Sequence, residues 1–131
     1  MSDLAKSYRA AAEFRIALLG FQRRTTAITA RHGLTPQRYL LLLLIRVRTD
    51  GGEAATVTAL RDPLQMTQSA VTQLALGAEA AGLVKRVPDE SDARSHAVVL
   101  TPEGAQRLRR AFEDLREERE SLARIVAALD R

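Results

Sequence analysis

Near residue 90 of a chain otherwise dominated by helix formers, two short β-like runs face each other across a charged turn. Leu83-Val84-Lys85-Arg86-Val87 precedes the turn and His96-Ala97-Val98-Val99-Leu100 follows it. Residues 88–95, Pro-Asp-Glu-Ser-Asp-Ala-Arg-Ser, form the turn, so the pattern predicts a β-hairpin with a long polar tip. Directly upstream lie two short helical patterns, 57–64 and 68–81, joined by a tight turn at Gln65-Met66. A helix-turn-helix followed by a charged hairpin is a winged helix. The expected fold is therefore mainly α with a small β-hairpin wing, and its first functional implication is DNA binding.

Punctuation along the chain supports this division. Thr67 suits the cap of the second short helix, whose inward face would carry Ala70, Val71, Leu74 and Ala78. Gly82 ends it, while Pro63 is awkward late in the first, where it removes a donor. Thr35-Pro36 and Thr101-Pro102 each open a further helix, threonine capping and proline fitting the first helical position. Leu40 to Ile45 makes the second helix apolar all round, which predicts a central place in the fold. Asp50 to Glu53 reads as a turn.

Long amphipathic helices are expected at both ends. Residues 3–31 contain no proline, and Ala11, Phe14, Leu18, Phe21, Thr25 and Ile28 fall on one stripe, widened by Tyr8, Ala12 and Leu19. His32-Gly33 stops this helix. After Pro102, Leu108, Phe112, Leu115, Leu122, Ile125 and Leu129 form a second stripe on one helix running to the C-terminus. So long a first helix exceeds what one small domain covers, so part of its face is expected to meet another chain. The expected organisation is one domain, with residues 1–34 and 102–131 as dimerisation helices around a winged helix-turn-helix lobe at 35–101. A twofold dimer of such lobes would set them ~34–36 Å apart.

Composition excludes several alternatives. Apolar residues make up 46% of the chain, enough for a core. The absence of cysteine removes disulfides, thiol catalysis, Cys-based zinc sites and thiol redox sensing. A net charge of +4 permits an anionic partner without demanding one. No apolar signal core opens the chain, and the run at Leu40–Ile45 is far below the ~20 residues that span a bilayer, so a soluble cytoplasmic protein is expected. Glu13, Glu79 and Glu103 show no pairing at catalytic spacing, and no Gly-rich phosphate loop or metal cluster occurs. Neither an enzyme nor a bound cofactor is expected. His32 reads as a C-terminal cap residue near the first helix's negative end, and a lone histidine with no nearby carboxylate or second histidine is a poor metal site.

Three stretches resemble the MarR family of bacterial winged-helix transcriptional regulators: Leu60 through Leu74, Ala81-Gly82-Leu83-Val84-Lys85-Arg86, and Asp89 through Gly104. The last is similar to the wing signature D-x-R-x5-LT-x-x-G, carried here by Asp92, Arg94, Leu100, Thr101 and Gly104. The resemblance extends over essentially the whole chain. Arg61 stands where a small residue is usual, Pro63 where a helix former is usual, and Gln73 and Gly77 where basic residues are common; the last helix is short for the family. The resemblance implies a homodimeric repressor of a short pseudo-palindromic DNA site, relieved by a small effector that changes the spacing of the lobes. The alternative is a winged-helix protein-interaction module that has lost tight specific DNA binding, motivated by Pro63, Gly77 and a recognition helix without Lys or Arg.

The residues themselves define the candidate contacts. The recognition helix opens at Thr67, with Gln68, Ser69, Thr72 and Gln73 outward; glutamine can pair bidentately with adenine, and hydroxyls can reach bases or phosphates. Without Lys or Arg between residues 62 and 84 this helix has no bidentate guanine reader, so A/T-leaning contacts are expected, against the plain reading of solvated polar residues. Arg94 can enter a narrow, electronegative minor groove, with Asp92 orienting it, against the plain reading of a surface salt bridge. Lys85, Arg86 and His96 flank it as candidate phosphate contacts. In the resembling family, effectors, often aromatic acids, bind where the long helices meet the DNA-binding lobe. Arg15 could there hold a carboxylate with Tyr39 lining the pocket; the simpler reading is an arginine stem laid on the core.

Overall fold

The computed structural model describes residues 2–129, and those residues form six helices and one hairpin. The helices are α1 (Asp3–Ala30), α2 (Pro36–Asp50), α3 (Val57–Leu64), α4 (Gln68–Ala80), α5 (Pro102–Asp114) and α6 (Arg116–Leu129). Strands β1 (Val84–Asp89) and β2 (Asp92–Leu100) lie between α4 and α5. Met1, Asp130 and Arg131, the outer ends of the expected dimerisation segments, lie outside the described residues, as do the side chains of Ala93 and Leu129.

Five helices begin by one device. Ser2, Thr35, Thr56, Thr67 and Thr101 are extended, and each hydroxyl accepts the N–H three residues on. Such a cap stabilises a helix by about 1 kcal/mol. Gly33 (φ 69°) and Gly82 (φ 78°) take the left-handed conformation just past α1 and α4, where a β-carbon would be strained. Gln65 adopts the same conformation (φ 55°) and closes α3. Because α3 ends at Leu64, Pro63 forfeits only a last-turn bond and the helix tolerates it.

The core of the lobe joins α2, α3, α4 and the hairpin. Leu41, Leu42, Ile45, Leu60, Val71, Ala75, Leu83, Val84 and Val98 are all buried in it. The expectation that α2 is buried all round is corrected: Leu40 is 38% and Val47 61% exposed, because only one side of α2 faces the lobe. At the other end of the molecule α1 packs along α6 and touches α5. An Arg24–Glu118 ion pair and a 2.6 Å contact between His32 Nε2 and Asp114 Oδ2 tie these helices together. His32 thus has a carboxylate partner, brought 82 positions along the chain, which no local reading could supply.

The single C-terminal helix expected from the sequence is two. Leu115 leaves the helical conformation (φ −87°, ψ 3°) and stays buried. Leu108, Ala111 and Leu115 face the lobe whereas α6 must lie along α1, and one straight helix cannot do both. The Phe112 carbonyl, which loses its regular helical donor at the kink, accepts Arg119 Nη1 at 2.6 Å, with the guanidinium 3.8 Å from the Phe112 ring centroid.

Candidate nucleic-acid interface

Helix α4 is held by Val71, Ala75 and Ala78, which are buried, leaving Gln68, Ser69 and Gln73 exposed and Thr72 half-buried. Thr67 opens the helix as expected, but its hydroxyl accepts the Ala70 N–H at 3.2 Å and so serves the cap.

The wing is fixed at its base by the residues of the Leu-Thr-Pro-Glu-Gly stretch. The Thr101 hydroxyl donates to the Gly82 carbonyl at 2.6 Å, and the Thr101 N–H to the Leu83 carbonyl at 3.0 Å. Gly104 is buried directly against that Leu83 carbonyl, with no room for a β-carbon. A bridge between Thr56 and Ala97, with the Val98 N–H donating to the Ala55 carbonyl at 2.9 Å, anchors the wing to the segment before α3.

The strands continue further than the sequence suggests. Pairing runs from Val84–Leu100 to Pro88–His96, then resumes at Asp89–Asp92, so the long polar tip is corrected to a turn at Glu90-Ser91. Between the last two pairs β2 carries three extra residues, Ala93, Arg94 and Ser95. Pro88 has no N–H for the ladder at this point, which suits a bulge. The Asp92 carboxylate accepts the Arg94 N–H at 3.0 Å, and Asp89 Oδ1 accepts the Ser91 N–H and hydroxyl at 3.2 and 3.0 Å. Two of the three wing acids are thereby engaged in shaping the turn. Arg94 is exposed, and among the described residues it forms no ion pair.

Helix and wing meet in a cleft of about 330 Å³. Gln68 and Thr72 line one side, Arg86, Arg94 and His96 the other, and Thr58 from α3 closes it. Five of the nine expected contact residues therefore share one surface. Ser69 and Gln73 lie on the adjoining outward row of α4, and Lys85 is exposed on β1 outside the cleft. Arg86 is partly neutralised: its N–H donates to Glu79 at 3.1 Å and its guanidinium lies 3.6 Å from the same carboxylate. Thr58 was not foreseen, since nothing in the order of residues aims the start of α3 at the wing.

The two expected effector residues stand differently. Arg15 is exposed on α1. Tyr39 is half-buried against the lobe core, and burial pushes its phenol above the usual value, opposed by the Arg119 guanidinium. An apolar groove of about 740 Å³ between α2 and α5, lined by Leu43, Leu108 and Phe112 among others, contains neither. No sequence signal marked this groove, because its walls come from helices about 60 residues apart.

Two helices joined by a tight turn, beside an arginine-bearing hairpin, define a winged helix-turn-helix protein. Residues 32–95 match the sequence model of the MarR family. The fold is similar to a MarR family transcription regulator, SP03579 (TM-score 0.79, 23% identity, 93% of this chain and 78% of the other). It is also similar to the transcriptional regulator BldR from Sulfolobus solfataricus (TM-score 0.71, 22% identity, 99% and 96%). A third similar structure is Staphylococcus aureus MepR in complex with DNA (TM-score 0.75, 18% identity, 86% and 78%). No curated protein matches by sequence. The match to the MarR family's model covers the helix-turn-helix and most of the wing, and the likeness of fold to these structures extends over most of the chain.

Proposed function

We propose that this chain is a sequence-specific DNA-binding transcription regulator that works in the cytoplasm as a homodimer and represses the genes it controls. The observation that carries the reading is the shared cleft, in which the polar face of α4 and the wing cations converge. In this reading Gln68, Ser69, Thr72 and Gln73 meet base edges and phosphates in the major groove, and Thr67 fixes the helix start. Arg94 enters the adjoining minor groove, while Lys85, Arg86 and His96 approach the backbone. That a protein of this fold, MepR, has been seen bound to DNA supports DNA as the partner.

The dimer is inferred from α1. Tyr8, Ile16 and Leu19 are each more than 60% exposed, although α1 packs along α6 of its own chain. An apolar row of that extent is the kind of surface a second copy covers. Residues 1–34 and 102–131 then form the dimer and 35–101 the DNA-binding lobe. An effector, a small aromatic or acidic molecule held by Arg15 and Tyr39, would release DNA by altering lobe spacing, with a coupling of ~1–3 kcal/mol.

Selection of binding sites from a random duplex pool tests the reading. A pseudo-palindromic, A/T-leaning consensus is expected. Binding that is only sequence-blind would favour the interaction module instead. Thermal shift with a panel of small aromatic and aliphatic acids tests the effector, and no shift with any of them removes it.

A further inference from the structure

Helix α4 carries no Lys or Arg, and no basic residue occurs between Arg61 and Lys85. A helix lying in the major groove has a phosphate backbone on each side of it. The wing cations serve one side. Thr72, on the cleft side, lies one residue and about 100° back from the outward-facing Gln73; Gly77, four residues on, lies about 40° to the other side. The flank away from the wing is therefore the flank of Gly77.

That flank has a charge of its own, supplied by a different helix. A β-carbon at Gly77 would lie 2.9 Å from an Arg38 guanidinium nitrogen, so the glycine makes the room in which this guanidinium rests. Arg38 sits in the first turn of α2, where the Thr35 hydroxyl accepts its N–H at 3.1 Å. A cation in a helix's first turn opposes the helix dipole, so Arg38 does not serve the stability of α2. That turn contains no acidic residue, and among the described residues Arg38 forms no ion pair. It is half-buried nonetheless. Charged side chains withdrawn from water are ordinarily paired, and among the described residues this one has no charged partner.

We propose that Arg38 is a DNA-phosphate contact on the flank of the recognition helix opposite the wing. Gly77 is small so that α2 can place there the positive charge α4 lacks. The inference rests on the DNA-binding reading above. It implies that α4 reads bases from between two cationic rails, Arg38 on one side and Arg86 and Arg94 on the other. Arg38 positions the helix and carries no sequence preference itself.

The experiment compares the full-length wild type with Arg38→Gln, and with Arg110→Gln as a charge-matched control on the outer face of α5. The probe is a 30-bp duplex, about three helical turns, selected by the wild type from a random pool, with fluorescence anisotropy read from ~50 to ~200 mM salt. Loss of one phosphate contact lowers the salt slope by about 0.9, so Arg38→Gln is expected to lower it by about 2 in a dimer with two lobes. The selected consensus should stay the same, and the control should keep the wild-type slope. Arg38→Met, which retains the apolar stem, replaces the glutamine variant if that variant melts early. A neutral Arg38 variant whose slope matches the control overturns the proposal while leaving the regulator reading intact. Failure of the wild type to select any duplex overturns both.

Discussion

Replacing Gly104 with alanine sets two effects against each other. Alanine favours a helix over glycine by about 1 kcal/mol, so propensity alone predicts a more stable protein. Gly104, however, is buried at the third position of α5, against the Leu83 carbonyl. That obstacle is backbone, which cannot rotate aside as a flexible side chain could. Its displacement would also strain the neighbouring bonds from Thr101 to the Gly82 and Leu83 carbonyls. Overpacking costs about 1–3 kcal/mol, and a rigid backbone contact belongs at the top of that range. The balance is a net loss of about 2 kcal/mol. With an unfolding entropy of about 2.1 cal/mol/K per residue, a chain of 131 residues should melt about 7 °C lower. Circular dichroism melts at one fixed protein concentration measure this, since a dimer's melting point depends on concentration. An unchanged or raised Tm would show that the wing base yields easily and that the close Gly104–Leu83 approach does not constrain it.

Three further outcomes follow from the geometry. Arg94→Ala should weaken binding to a selected duplex by about 1–3 kcal/mol for each half-site and relax preference where the wing reaches; anisotropy titration checks it, and unchanged affinity at physiological salt removes the role. Leu19→Glu places a charge in the exposed apolar row of α1 and should convert a dimer to a monomer in sedimentation without unfolding it; a variant that stays dimeric moves the interface elsewhere. Burial raises the Tyr39 phenol in the folded state, so the unfolded chain loses this proton first as pH rises. Its stabilisation is therefore present below about pH 10 and is lost above it as pH climbs toward the folded value, and Tyr39→Phe should flatten the alkaline fall in Tm.

Local chemistry made much of this fold legible. Thr35-Pro36, Thr67 and Thr101-Pro102 mark helix starts, and Gly33 and Gly82 mark stops, because capping depends on residues within one turn. The spacing of Asp92, Arg94 and Gly104 identified the wing, and the structure gives Asp92 and Gly104 physical tasks in building it. What could not be read depends on distant parts meeting. The break at Leu115 has no proline or glycine to announce it, since it arises from two neighbours that α5 and α6 must face. His32 meets Asp114, and Arg38 meets Gly77, only once the helices have packed. The polar residues of the hairpin read as a loop, yet a bulge lets the strands pair through them. Gly77, a departure from the family pattern when taken alone, makes room for a guanidinium from α2.

Hydroxyl-radical footprinting of a selected duplex by the purified wild type tests the central claim most directly, because it reports groove and spacing together. Two symmetric patches of protection, with half-site centres about 10–10.5 bp apart and the outer minor grooves exposed again by Arg94→Ala, are the predicted result. Uniform protection with no spacing, or a single patch that Arg94→Ala leaves unaltered, would contradict it.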